Sequence, residues 1–232
     1  MDTEDVKSYH PISNLTFMSK TVERLVCHQL VSFLEKNNLL PSHQSAYRRH
    51  HSTETAMLKI VSDLLLMCDR GQVTLVALLD LSAAFDTVDH DILLNRLQLA
   101  FGIRGTAFKW IESFVTGRVQ TVSFASEKSV KSKVLCGVPQ GSVLGPILFL
   151  LYCAEVTYIA ERNNINVHLY ADNTQLYIHC DVTECAITSK SMTSCIEELE
   201  SWMMSNRLKL NADKTEFIWT GSRHQVAKIN TQ

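Results

Sequence analysis

The chain has 232 residues, of which 46% are hydrophobic and 20% charged, with a formal net charge of −2. That composition is ordinarily globular and long enough to bury a sizeable core, with no low-complexity tract and no repeat of solenoid period. The near-neutral balance lacks the basic footprint that nucleic-acid binding usually leaves.

Seven cysteines (Cys27, Cys68, Cys136, Cys153, Cys180, Cys185 and Cys195) are odd in number and never spaced CxxC, so they read as thiols of a reducing compartment. His179, Cys180 and Cys185 lack the paired spacing of a zinc site. The opening MDTEDVKSYHPI carries no apolar signal segment, which makes the NLT sequon at Asn14 accidental. The longest apolar run, VLGPILFLLYCA from Val143, falls short of the roughly 20 residues of a membrane span. The expectation is an intracellular protein of nucleus or cytoplasm with no membrane partner.

In chain order, Phe17 to Lys36 carries apolar residues at a helical period and ends at NNLLP. Ser52 suits an N-cap, and TETAMLKIVSDLLLMCD after it reads as a second helix stopped by Gly71. VTLVALLD is a continuous apolar run ending on an acid, the pattern of a strand buried on both faces. HDILLNRLQLAFG and GTAFKWIESFVTG predict two short helices, and RVQTVSFA with VKSKVLC a strand pair. Pro146 predicts the start of a long apolar helix through Glu155. INVHLY and TQLYIHC read as a hairpin joined by Ala171, Asp172 and Asn173. A helix around CIEELESWMMSNRLK and a strand in KTEFIWTG close the order, which is that of an α+β, split βαβ palm: an antiparallel sheet with helices on one face.

Two acids stand out. Asp80 ends a buried strand, where an acid is costly unless it caps a helix, pairs with a cation or holds a metal. Asp172 lies in a hairpin turn, a place Asp favours for turn reasons alone. Were the two strands neighbours, both carboxylates would meet at one end of the sheet, as hard oxygen donors of the kind Mg²⁺ takes. The stretch GVPQGSVLGP, residues 137–146, holds three glycines and two prolines in ten residues and opens a long helix, making a shaped loop whose backbone can approach a ligand.

LDLSAAFDTVDHDILL, GVPQGSVLGPILFLLY, LYADNTQLY and LKLNADKTEFI, in this order and spacing, resemble the palm motifs of reverse transcriptases, nearest to the jockey-like group of non-LTR (LINE-type) retrotransposons. YHPISNLTFMSKTVERLV and QSAYRRHHSTETAML resemble that family's fingers motifs, so the likeness runs from about Ser8 to Gly221. It implies a right-hand polymerase fold: a single domain, with residues 1–72 as a fingers-like helical part, 73–221 as palm and 222–232 as a tail without a thumb.

The resemblance also implies roles. Asp80 and Asp172 match the catalytic acids, with Mg²⁺ (two ions, or Mn²⁺) held by Asp80, Asp172 and Asn173. Lys214 matches a basic residue that assists pyrophosphate departure, although a solvated lysine at a strand start explains it equally. Phe85 matches the aromatic that lies against the sugar and excludes a 2′-hydroxyl, and it also suits a core. Gln140 and Gly141 match the loop lining the nascent base pair. Arg48 matches an arginine near the template or triphosphate, and Arg49 and Tyr170 fall where template and primer run. The implied partners are an RNA template, a DNA primer and deoxynucleoside triphosphates.

The chain departs from the family at telling places. Asn173 stands where the hairpin has a second aspartate, keeping an oxygen and losing a charge. A unit charge about 4 Å from a cation is worth roughly 4 kcal/mol at an effective dielectric of 20, so the rate would fall on the order of a thousandfold. His10 replaces an arginine, removing a bidentate phosphate donor, and Ala46 and Tyr47 replace a Gly-Phe pair. Nothing before Tyr9 would supply further fingers strands or an endonuclease, and only about ten residues follow the last strand. The expectation is an RNA-directed DNA polymerase domain doing template-guided two-metal nucleotidyl transfer, impaired by Asn173 and truncation. The alternative is a catalytically silent remnant that binds nucleic acid or protein.

Overall fold

A computed structural model describes residues 12–229 apart from 42 and 125–126. The departure at His10 lies outside the described residues. The chain forms two compact units, each built from two stretches: one from the stretch up to Leu39 with Phe85–Tyr152, the other from Leu40–Ala84 with the stretch from Cys153 onward.

The first unit is helical. Helix α1 (Phe17–Lys36) starts at Thr16, whose hydroxyl accepts from Ser19 N at 3.2 Å, and buries Glu23, Leu30 and Leu34. Asp89 caps α3 (His90–Leu99), accepting from the amides of Asp91 and Ile92. Helix α4 (Gly105–Val115) buries Ile111 and Val115, and α5 (Gly145–Tyr152) packs against α3 with nearly every side chain buried. The predicted run to Glu155 stops at Tyr152. There the Tyr152 carbonyl accepts from the Arg96 guanidinium; beyond it the chain passes into the second unit, where the Val156 amide turns back onto Cys153 O at 3.1 Å and a separate α6 (Val156–Arg162) begins. The predicted strand pair survives only as two-residue ladders: β2 (Val119–Gln120) with β5 (Ser132–Lys133), and β3 (Ser123–Phe124) with β4 (Glu127–Lys128). All four are exposed, so their alternating side chains have no core to bury against.

The second unit is built on an antiparallel sheet of order β6-β7-β1-β8: β1 (Val73–Leu79), β6 (Asn166–Tyr170), β7 (Asn173–Cys180) and β8 (Glu216–Thr220). Strand β1 is central and buried along almost its whole length, as its unbroken apolar run requires. Helix α2 (Thr53–Asp69) matches its predicted span, with Ser52 and Thr55 exchanging both hydrogen bonds of a capping box. It lies against β1 and β6, where Asp63 accepts from the Tyr177 hydroxyl at 2.7 Å. Helix α7 (Cys185–Ser205) packs on β7, with Cys185 beside Val73 and Cys180. It begins ten residues before the predicted CIEELESWMMSNRLK stretch, because Thr188 and Met192 continue the buried stripe through a run rich in Ser and Thr. A short α8 (Arg223–Val226) follows β8 in the segment read as a plain tail.

Candidate active site

In the second unit the two strands that end on the paired acids are neighbours. Strand β1 pairs with β7 with Leu79 opposite Thr174, so Asp80, one residue beyond, arrives at the level of Asn173. Strands β6 and β7 pair through to Tyr170 opposite Asn173, which leaves a loop of two residues, Ala171 and Asp172, rather than three. Asn173 is thus the first residue of a strand. Ala171 takes φ 57° while Asp172 keeps a negative φ, the sign pattern of a type II′ turn, which follows the strand twist.

The turn is held from below by a residue the sequence did not single out. Gln44 is buried, and its side-chain oxygen accepts from Ala46 N at 2.9 Å and Ala171 N at 3.3 Å. Its backbone neighbours extend the edge of β6, with Leu169 N donating to His43 O and Ser45 N to Leu169 O. Ala46 is accordingly buried, and Tyr47 follows it with a left-handed φ of 57°. Burial first, then the charge of Asp172 and the proximity of Tyr170, push the Tyr47 phenol above its ordinary value, which sets Tyr47 beside the turn. Arg48 directs one guanidinium nitrogen to the carbonyls of Pro41 and Gln44, so part of its donor set is used to shape its own loop, while Arg49 is exposed.

Asp80 is fixed by the segment before β8. Its carbonyl accepts from Asn211 N at 2.9 Å, and Ser82 N donates to Lys209 O at 2.9 Å. The turn at Ala212–Lys214 then brings Lys214 Nζ to 3.2 Å from Asp80 Oδ2. A cavity of about 480 Å³ opens here, lined among others by Asp80, Asn173, Gln175, Asp213, Lys214 and Glu216. Asp213, in the turn, and Glu216, at the start of β8, are further acids that the sequence reading did not place, since both sit in a charged, exposed stretch.

Asp80, Asp172 and Asn173 offer oxygen donors alone, two carboxylates and an amide, which is the chemistry a hard divalent cation takes. Among the described residues no three His, Cys, Asp or Glu side chains converge into a ready metal cage. Two carboxylates and an amide oxygen are donors of the kind that Mg²⁺ takes, a cation that binds through one or two carboxylates and fills its shell with water and phosphate oxygens.

In the first unit the segment of Phe85 and Asp86 is tied to the loop that carries Gln140 and Gly141. Val138 N donates to Phe85 O at 2.8 Å, and the Phe85 ring sits 4.9 Å from that of Phe149, so Phe85 is half in the core. Gln140 Nε2 donates to Asp86 Oδ2 at 2.7 Å. Gly137 and Gly141 both adopt left-handed φ, 88° and 87°, and a Cβ on Gly137 would stand 2.9 Å from Asp86 O.

Comparison with known proteins supplies the class. A family model described as reverse transcriptase (RNA-dependent DNA polymerase) matches residues 2–227, and the chain belongs to that family. It is 28% identical over 217 residues to a probable RNA-directed DNA polymerase from transposon BS of Drosophila melanogaster, covering 91% of this chain and 24% of that one. It is 37% identical over 149 residues to the corresponding protein of the X-element, covering 64% and 16%, and 28% identical over 216 residues to that of the mobile element jockey, covering 90% and 23%, both from the same fly. The chain thus spans at most about a quarter of the length of these curated relatives. Among solved structures, telomerase of Candida albicans, in complex with a fragment of telomeric RNA, superposes with a TM-score of 0.62 at 15% identity over 87% of this chain and 35% of that one. Apo telomerase of Candida tropicalis gives 0.63 at 14% identity over 88% and 41%. The fold is therefore the α+β polymerase fingers and palm. No described helix is long and apolar enough to cross a membrane.

Proposed function

We propose that the chain performs RNA-directed DNA synthesis as a fingers-and-palm domain, 1–72 and 73–221, with Asp80 and Asp172 as its catalytic acids. The observation that carries this reading is the β1–β7 register, which sets Asp80 level with Asn173 and one residue from the Asp172 turn. Asp80, Asp172 and the Asn173 amide oxygen would hold Mg²⁺, with two ions expected and Mn²⁺ as the alternative. When bound, the cations would favour ionisation of the primer 3′-hydroxyl and steady the leaving pyrophosphate.

The chain's own residues do the rest. Asp80 and Asp172 supply two negative charges, and Asn173 keeps the hairpin geometry with a neutral oxygen. Lys214 sits on Asp80 with a largely exposed ammonium, suited to meeting triphosphate oxygens. Phe85 would present its free edge to the sugar, and Gln140 with Gly141 would line the new base pair. Arg48 and Arg49 would meet phosphate, and Tyr170, paired with Asn173 across the hairpin, would meet the primer. An RNA template, a DNA primer and deoxynucleoside triphosphates are the partners. Family membership and the RNA bound to the Candida albicans telomerase support that choice. The test is Mg²⁺-dependent primer extension, expected to vanish in Asp80→Ala; extension that survives Asp80→Ala would refute the assignment.

A second reading has its own observation. The missing acid at Asn173 and the Lys214 ammonium on Asp80 leave this end of the sheet less anionic than the reaction asks. A palm that binds nucleic acid without turnover would show salt-sensitive binding indifferent to Asp80→Ala and no extension.

A further inference from the structure

Helix α1 carries an acid where an amphipathic helix should bury an apolar side chain: Glu23 is 1% exposed. A carboxylate at that depth is costly unless its oxygens are satisfied. Here they are. Oε2 accepts from Val143 N at 2.7 Å and Leu144 N at 3.3 Å, and Oε1 accepts from Ser19 Oγ at 3.1 Å. The two amides lie just before α5, the place in a helix where backbone donors have no carbonyl of their own to reach. Ser142 Oγ takes the next one, accepting from Gly145 N at 2.8 Å.

The carboxylate thus closes one side of the loop that opens at Gly137. The other side is tied by Gly137 N to Val88 O at 2.7 Å, by Ser13 N to Gln140 O at 2.9 Å, and by Gln140 Nε2 to Asp86. Between these ties stand Gln140 and Gly141. The carboxylate's charge is also felt by its surroundings, where it opposes the loss of basicity that burial imposes on Arg118 and adds to the burial that raises the Cys27 thiol.

We propose that Glu23 is a positioning residue: its carboxylate seats the Gln140–Gly141 loop by capping Val143 and Leu144, and so sets the affinity for the nucleotide that meets this loop. The loop seating stands on the hydrogen bonds alone; the link to nucleotide affinity rests on the function proposed above. Glutamine at this position keeps one oxygen as acceptor for both amides, loses the charge and turns the oxygen facing Ser19 into a donor that the hydroxyl can accept from, whereas alanine leaves two buried donors without a partner.

The experiment is native-state amide exchange of Val143 and Leu144, with Phe149 and Leu150 deeper in α5 as internal controls, in the wild type, Glu23→Gln and Glu23→Ala. A steady-state split of KM for the deoxynucleotide against kcat in primer extension runs alongside. In Glu23→Ala, exchange at Val143 and Leu144 is expected to rise about tenfold or more with the α5 controls unchanged, and Glu23→Gln to keep most of the protection. KM is expected to rise several-fold in Glu23→Ala with kcat changed less.

An equal rise at all four amides would overturn the proposal in favour of plain core packing, as would no change at Val143 and Leu144, or a glutamine variant as loose as alanine. Should Glu23→Ala fail to fold, Glu23→Met, which keeps the length of the side chain and removes both acceptors, takes its place: a rise confined to the two capped amides supports the assignment, and a uniform change or none overturns it. A wild type that extends no primer would refute the polymerase reading, while the exchange data would still decide whether Glu23 seats the loop.

Discussion

Asp80 keeps one side-chain oxygen 3.2 Å from the Lys214 ammonium, so a cation arriving at this carboxylate must displace or share it with a charge the chain already provides. Lys214 is 69% exposed and Asp80 21%, and a half-solvated pair of this kind is worth about 0–1 kcal/mol. Lys214→Gln should therefore tighten Mn²⁺ binding by at most about fivefold, read by titrating free Mn²⁺ in EPR, while the triphosphate role proposed for Lys214 makes turnover fall. Weaker metal binding in the variant would mean that Lys214 supports the site rather than competes for it. Gln44 makes a different point at the same scale. Its one buried oxygen takes the amides of both Ala46 and Ala171, so Gln44→Ala strands two donors and should cost about 1–3 kcal/mol. A urea midpoint unchanged from the wild type would show that water replaces the side chain.

At the scale of elements, the parts with unambiguous periodicity and caps were legible. The α2 span followed from Ser52 and Gly71, and β1 from an apolar run too greasy for an exposed strand. Asp80 stood out as an acid closing a buried apolar run and Asp172 as a turn residue, but whether they share one end of the sheet depended on strand order, which local pattern does not encode. Three things resisted for physical reasons. The end of α5 is decided by Arg96, a side chain from another helix claiming the Tyr152 carbonyl. The hairpin length is decided by register, which Gln44 pins from 127 residues away. Glu23 looked like one polar residue among several on a helix, and its burial shows only when the loop 120 residues on folds over it. The loop itself carries a sharp prediction. Gly137→Ala places a side chain at φ 88° and drives its Cβ to 2.9 Å from Asp86 O, which costs about 1–2 kcal/mol from backbone conformation before the clash is counted. The fall in urea midpoint measures it, and an unshifted midpoint would show that the Asp86 segment yields.

For the molecule as a whole, the sheet unit carries a pH dependence. His168 is buried with Nε2 lacking a partner among the described residues, and His179 has Nδ1 in the same state. Burial lowers both imidazoles below the ordinary 6.5; for His168 the nearby His43, Lys59 and His51 add to this, and for His179 Asp63 opposes it while Arg70 adds. Between that value and the lower folded ones, the unfolded chain binds protons that the folded chain refuses. Stability is therefore full above about pH 6.5 and declines as pH falls below it. Thermal melts from pH 8 to pH 5 should show this decline, and His168→Gln should flatten it; a variant with the wild-type slope would remove His168 from the account.

If the end of β1 and the β6–β7 turn together form a polymerase centre weakened by one missing charge, primer extension on an RNA template with Mg²⁺ will reveal it. The wild type is compared with Asn173→Asp and Asp80→Ala. Weak extension is expected from the wild type, a gain on the order of a thousandfold from Asn173→Asp, and no extension from Asp80→Ala. Equal rates for the wild type and Asn173→Asp, or extension that persists in Asp80→Ala, would contradict it.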